Sequence, residues 1–231
     1  MVLTVSQRMQ QQLLGTTKQQ AFVVIDSSVD HLPALISDLP ANADILRLDP
    51  QYDGFEQITD ALRTRPFVSS LHLVSHGSPG SLQLGSTNLS VETLKHYEDQ
   101  LKVWAESLSG ADVLVYGCQV AEGAYGALFL QQFSRLTEAN VAASTQPVGN
   151  TSGKQNWLLD VQIGDINTDV IFSEALQQSY EGSFVEVSFS IEQDVAIETE
   201  GTLVTFNFTL DEAPPPEGTV VVLSANEPSS L

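Results

Sequence analysis

The chain has 231 residues, with nine Lys+Arg against 29 Asp+Glu and a formal charge of -20. A surface of that sign repels phosphate backbones, which argues against a nucleic-acid partner and leaves cations such as calcium as possible company. With 42% hydrophobic and 16% charged residues the chain reads as globular, and it holds no apolar run long enough to span a membrane.

Residues 1–20, MVLTVSQRMQQQLLGTTKQQ, are Gln-rich and polar. They are expected to form a loose arm, and they lack the charged and apolar regions of an ordinary secretory signal. Ala21–Ile25 (AFVVI) reads as a strand buried on both faces. In Val29–Leu39, Leu32, Leu35, Ile36 and Leu39 share one helical face, and Pro40 ends the helix. A second strand is predicted at Ala43–Leu48 and a second helix at Asp53–Arg65, with Phe55, Ile58 and Leu62 on its apolar stripe. Ser69–Ser75 (SSLHLVS) is the third strand. The stretch GSPGSLQLGSTNLS at 77–90 has the glycines and short alternations of a β-hairpin. A long amphipathic helix follows over Val91–Leu108, with Ser90 as its N-cap. Ala111–Tyr116 (ADVLVY) is the fourth strand, Glu122–Glu138 a helix and Asn140–Ala143 a fifth strand. A sixth is expected at the edge, over Trp157–Ile163.

This alternation predicts an α/β fold: a three-layer sandwich around a mostly parallel sheet, over residues 21–182. From Ser183 onwards the segments FVEVSFSI, TLVTFNFTL and GTVVVLSA alternate without helical pattern. Residues 183–231 are therefore expected to be a β-only segment, the beginning of a sandwich that usually needs about 100 residues.

In open α/β sheets, chemistry gathers beyond the carboxyl ends of the strands. His76 follows the third strand in LHLVSHGS, and Cys118 follows the fourth in DVLVYGCQ. Cys118 is the chain's single cysteine, which excludes an intramolecular disulfide and leaves inert core or chemistry as its roles. A thiol and an imidazole at neighbouring strand ends are the parts of a cysteine nucleophile and its proton carrier. Gly77 would let the chain turn so that its N–H points into the site, and Gly117 would let the backbone bend just before Cys118. On this reading both side chains face one solvent-accessible cleft. A fully buried Cys118 would remove its base.

An apolar strand ending in His-Gly, followed by one ending in a small residue and Cys, resembles the caspase-like (clan CD) cysteine peptidases. That group includes caspases, metacaspases, gingipains, separase and the self-processing domains of large bacterial toxins. The resemblance implies Cys118 as nucleophile, His76 as general acid/base and oxyanion donors at the N–H groups of Gly77 and Cys118. It does not require a direct hydrogen bond between the two side chains. After Cys118 stand Gln-Val-Ala-Glu-Gly, where caspases have Arg-Gly. The whole arrangement is similar to an uncharacterised domain at the front of large bacterial surface proteins with adhesive repeats. The tail is similar to the opening of a Calx-beta domain. These likenesses imply secretion or a cell-surface location, further repeat domains downstream, and calcium without an assignable ligand set. A cytoplasmic location is the alternative.

In several such peptidases an acidic residue selects a basic residue on the acyl side of the scissile bond (P1). Asp26, closing the first strand, and Asp165, in IGDI, are the candidates here, with Asp49 further from the expected centre. The other reading of Asp26 is a turn carboxylate, since Ser27, Ser28 and Asp30 follow it. A basic preference would put self-cleavage at Arg8, Lys18 or Lys154, since no Lys or Arg follows Lys154 and the other basic residues lie in or beside predicted elements; Lys18 is favoured for its place just ahead of the domain. His72 reads as a satisfied core histidine, His31 and His96 as solvent-facing, and Trp157 as packing. No zinc-ligand spacing and no G-x-S-x-G elbow is present, so no cofactor is expected for catalysis.

Two functions follow. One is a cysteine endopeptidase acting on a protein or peptide, including its own chain. The other is a noncatalytic interaction or capping domain of a surface adhesin, with a vestigial dyad.

Overall fold

The computed structural model describes residues 21–151 and 153–184. The expected arm at 1–20 and most of the β-only segment lie outside the described residues. Six strands form the main sheet: β1 (Phe22–Ile25), β2 (Asp44–Arg47), β3 (Ser70–Val74), β7 (Asp112–Tyr116), β8 (Asn140–Ala143) and β11 (Val161–Ile163). Their spatial order is β11-β8-β7-β3-β1-β2. All neighbours pair in parallel except β11, which runs antiparallel to β8 at the edge.

Alternation along the central strands divides the core between two faces. Phe22, Val24, Leu71, Leu73, Val113, Val115 and Val141 point to one face, and the helices α2 (Gly54–Leu62), α4 (Glu98–Leu108) and α5 (Gly123–Thr137) cover it. Three of their aromatic rings set the layer. Phe55 stacks on Trp104 with centroids 4.4 Å apart, Trp104 meets Phe133 edge-on at 5.9 Å, and Trp104 Nε1–H donates to Thr59 Oγ1 at 2.8 Å. Val23, Ile25, Val74, Leu114, Tyr116 and Ala142 point to the other face, under α1 (Leu32–Asp38), Trp157, Phe172 and Tyr180. The predicted three layers are present, and the five parallel strands fall within one residue of their expected bounds at each end.

Three local departures have clear causes. The helix expected over 91–108 is broken into α3 (Val91–Leu94), a 3-10 turn (Lys95–Tyr97) and α4. The break sits where Tyr97 is fixed from outside: its hydroxyl donates to Asp53 at 2.5 Å and its ring lies 4.5 Å from Phe55. The hairpin at 77–90 is a three-stranded antiparallel sheet, β4 (Gly77–Ser78), β5 (Ser81–Leu84) and β6 (Thr87–Ser90). Third, a small hairpin, β9 (Gly149–Thr151) with β10 (Lys154–Asn156), and a short helix, α6 (Glu174–Ser179), were not anticipated. Both are short and polar, and neither presents a readable period.

The chain from 165 to 184 crosses the second face from the amino ends of the strands to their carboxyl ends, held by a series of polar anchors. Asn167 N–H and Thr168 Oγ1 donate to Asp112, at 2.9 and 2.8 Å. Ile171 N–H donates to the Tyr116 hydroxyl at 3.1 Å. Ser173 donates twice to Asp38, at 2.8 and 2.6 Å, and caps α6. Trp157 Nε1–H reaches Gln177 O at 3.1 Å, and Tyr180 Oη–H reaches Asp30 O at 2.7 Å. This strap ends against the strand tips that carry His76 and Cys118.

Candidate functional site

His76 and Cys118 each stand two residues beyond the last paired residues of adjacent parallel strands, Val74 of β3 and Tyr116 of β7. The strand ends approach closely. A Cβ on Gly77 would lie 2.6 Å from Val120 Cγ2 and 3.1 Å from Gly117 Cα, and one on Gly117 would lie 2.8 Å from both Leu82 and Val120 side chains. Neither glycine has a positive φ. Their role is therefore close approach, where a sharp turn was expected. Val120 and Leu82 leave no room for a side chain at either position.

The approach aims two main-chain donors at one point. Gly77 N–H and Cys118 N–H both donate to the carbonyl oxygen of Phe184, at 3.0 and 3.1 Å. These are the two N–H groups that the resemblance to caspase-like peptidases implies as oxyanion donors. Phe184 N–H in turn donates to Val148 O at 3.1 Å, and Asn150 N–H donates to Gly182 O at 2.7 Å. Ser183 forms an antiparallel bridge with Gly149. The segment 182–184 is thus extended and laid beside β9. Gly149 has φ +96°, and a Cβ there would meet Gly182 O at 2.6 Å.

Cys118 is fully buried, with no exposed surface. This overturns the expectation of an open cleft, and with it the geometric base that the sequence gave to the peptidase reading. Val148 N–H donates to its sulfur at 3.0 Å, and the thiol lies 3.4 Å from Val148 O. Val148, Trp157, Tyr180 and Phe184 belong to the same buried cluster as Cys118. The cover is the strap itself.

His76 is half-buried and its two nitrogens differ. Nε2 lies 3.1 Å from Ser28 O. A carbonyl only accepts, so Nε2 carries a proton in this bond. Nδ1 is buried and has no hydrogen-bond partner among the described residues, so no bond joins it to the Cys118 thiol.

Asp26 sits on the same rim, its N–H bonded to Val74 O at 2.9 Å. Its carboxylate is buried and committed. Oδ1 accepts Ser28 N–H and Oγ–H at 2.9 and 2.6 Å, and Oδ2 accepts Gly85 N–H at 2.6 Å. The turn-carboxylate reading describes these bonds. Asp26 fixes the loop whose Ser28 carbonyl orients His76. Asp165 is not brought to the site. Its main-chain oxygen is bonded by Asn140 Nδ2, which also donates to Asp112 at the start of β7. Cys118 lies six residues further along that chain, about 20 Å away at strand rise. Because β11 runs antiparallel, its carboxyl end carries Asp165 to the far rim.

Ser28, Val148, Tyr180 and Phe184 went unnoticed in the sequence as site residues. Their polar bonds at the site come from main-chain atoms except for the Tyr180 hydroxyl, and main-chain bonds carry no side-chain signature. Gly149 and Gly182, where the strap needs close approach, were the available signal. Among the described residues no group of three or more His, Cys, Asp or Glu could hold a metal ion. No helix among them is long and apolar enough to cross a membrane.

The fold and rim together define a three-layer α/β domain with a histidine and a cysteine at adjacent carboxyl strand ends. The chain belongs to the family described as a domain of unknown function, DUF4347, whose model matches residues 22–184. That span ends on Phe184, so the strap is part of the family's domain. A search of curated proteins finds no match to the chain.

Proposed function

We propose that the domain is a caspase-like cysteine endopeptidase, with Cys118 as nucleophile and His76 as general acid/base. One observation carries the reading: the N–H groups of Gly77 and Cys118 converge on a single carbonyl oxygen at 3.0 and 3.1 Å. Two donors from different strand ends, one of them the thiol residue's own N–H, are what an acyl-transfer site needs for its oxyanion. In the reaction the Cys118 sulfur adds to the carbonyl carbon, and the oxygen takes the negative charge between the two donors. His76 Nδ1 accepts the thiol proton and gives it to the departing nitrogen, leaving a thioester. Water then attacks the thioester with His76 as base, and Cys118 is restored. Ser28 O keeps Nε2 protonated and leaves Nδ1 as the working nitrogen. Aromatic rings line the position beside the polarised carbonyl, and Asp26 is committed elsewhere. An apolar P1 residue suits these surroundings better than a basic one. Intact-mass measurement of wild type and Cys118→Ala after incubation tests the reading. Cys118-dependent fragments are expected, and unchanged masses in both, with no hydrolysis of added peptide, would end it.

A second reading is favoured by the burial of Cys118 and by the hydrogen bonds of its sulfur to Val148. A thiol so placed also suits a noncatalytic capping or interaction domain. Iodoacetamide separates the two, since a reactive site alkylates once the strap is displaced, and an inert core thiol alkylates only on global unfolding.

A further inference from the structure

The segment covering Cys118 makes the contacts of a bound peptide. It is extended, it adds to β9 in antiparallel register through Phe184 N–H to Val148 O and Asn150 N–H to Gly182 O, and its side chains alternate inward and outward. Gly182 and Phe184 are buried, and Ser183 between them is half-buried. Strand addition of this kind is a recurrent way of holding an extended peptide, with main-chain bonds giving affinity and alternate side chains entering pockets. The Phe184 ring enters one, 5.6 Å from the Tyr180 ring and 5.9 Å from that of Trp157. The same residue's carbonyl takes both oxyanion donors. Val148 ties the parts together, accepting from Phe184 N–H while donating to the Cys118 sulfur. A buried imidazole nitrogen without a partner among the described residues completes the set; leaving such a group unsatisfied costs free energy, so it calls for an explanation.

We propose that the chain is its own substrate and that the bond broken is Phe184–Val185. The proposal rests on the peptidase reading and names its substrate. Sulfur adds to the Phe184 carbonyl carbon, the C–N bond to Val185 breaks, and the proton from the thiol leaves on the Val185 nitrogen. Hydrolysis of the thioester gives a Phe184 carboxylate. The products are residues 1–184 and 185–231, together one water heavier than the parent, and no redox partner is needed. Specificity follows from the contacts: an aromatic residue at P1, and glycine two residues before it, since a Cβ on Gly182 would lie 2.7 Å from the Asp30 side chain. The cut falls after Lys154, the last basic residue, so it replaces the basic sites expected from the sequence.

The test incubates the full chain, with and without calcium, and reads intact mass and the new N-terminus. Wild type is expected to yield a fragment beginning Val-Glu-Val. Cys118→Ala should yield it at least about 1000-fold more slowly. Val185→Pro, which leaves the Phe184 side chain in place and puts a ring nitrogen at the departing position, should also abolish it. Phe184→Ala, checked for folding by a cooperative melt, is assayed in parallel on Glu-Gly-Ser-Phe-aminocoumarin. No fragment at 184, with Cys118-dependent hydrolysis of that peptide or a Cys118-dependent cut elsewhere, overturns self-cleavage at Phe184 and keeps the peptidase. No fragment and no hydrolysis overturns both. A fragment at 184 that persists in Cys118→Ala also overturns the proposal, because another nucleophile or a contaminant made it.

Discussion

Two histidines four residues apart show how differently one strand treats the same side chain. His72 lies inside β3, is 1% exposed, and has both nitrogens engaged: Nδ1 with the Tyr116 hydroxyl at 3.1 Å and Nε2 with Ser70 Oγ at 3.2 Å. Tyr116 accepts from Ile171 N–H, so its own proton goes to His72 Nδ1, and His72 passes Nε2–H to Ser70. His76, just past the strand, has one nitrogen engaged and the other buried and without a partner among the described residues. Polar groups inside a protein are normally satisfied. Full satisfaction marks His72 as structural, and the missing partner sets His76 Nδ1 apart as the nitrogen that the proposed mechanism would use.

The sharpest way to break this comparison is to remove each histidine in turn. His76→Ala is expected to lower Cys118-dependent cleavage by several orders of magnitude, because the pair acts as a unit. It should shift the melting temperature by only a few degrees, since the side chain gives up one hydrogen bond. His72→Ala should do the reverse, costing about 2–4 kcal/mol through a cavity and two orphaned hydroxyls while any cleavage by folded protein persists. Thermal melts beside cleavage rates check both. A large stability loss in His76→Ala would make it structural as well.

Titration sharpens the contrast. Burial lowers the His72 pKa to about 4, with Asp112 opposing weakly. The unfolded chain has its histidines near 6.5, so between pH 6.5 and 4 the unfolded state binds a proton that the folded state refuses. Stability therefore falls as pH drops through that window, by about 3 kcal/mol in total for this one group. Asp112 acts mainly lower. Burial pushes its pKa up, but hydrogen bonds from Asn140, Asn167 and Thr168 outweigh burial and hold it below the usual carboxylate value. Its contribution is lost only as pH falls through that depressed value. Denaturant melts at pH 7, 5.5 and 4.5 should show the decline in wild type and a flatter profile in His72→Gln.

The sequence revealed the sheet because buried parallel strands are continuous apolar runs, and FVVI, SLHLV and DVLVY each stand between helix-like segments. It placed His76 and Cys118 at neighbouring tips for the same reason. What it could not reveal was the cover. Phe184 falls where the composition turns β-rich, and it reads as the start of a new module. Its bonds to Gly77, Cys118 and Val148 are all main-chain, and such bonds leave no residue-type pattern. Asp165 misled for a related reason. Its place on one rim or the other depends on the direction of β11, and a three-residue edge strand does not declare its direction.

Tyr116→Phe gives the smallest of these effects and examines the strap away from the rim. The hydroxyl is buried, and burial pushes its pKa far above the ordinary tyrosine value, so it stays neutral at any working pH. It links β3, β7 and the strap: it donates to His72 Nδ1 and accepts from Ile171 N–H at 3.1 Å. Phenylalanine keeps the ring against Phe172, whose centroid is 5.5 Å away, and removes both bonds. The cost is that of a buried imidazole acceptor and a main-chain donor left without partners, about 1–3 kcal/mol. The loss has a place as well as a size. Asp112 and Asp38 still hold the strap on either side of Ile171, so loosening should centre on residues 170–172 and leave 182–184 docked. Hydrogen exchange should then speed at Ile171 N–H while Phe184 N–H stays protected. Equal acceleration at both would mean that the strap opens as one unit and that Tyr116 helps to keep Cys118 covered.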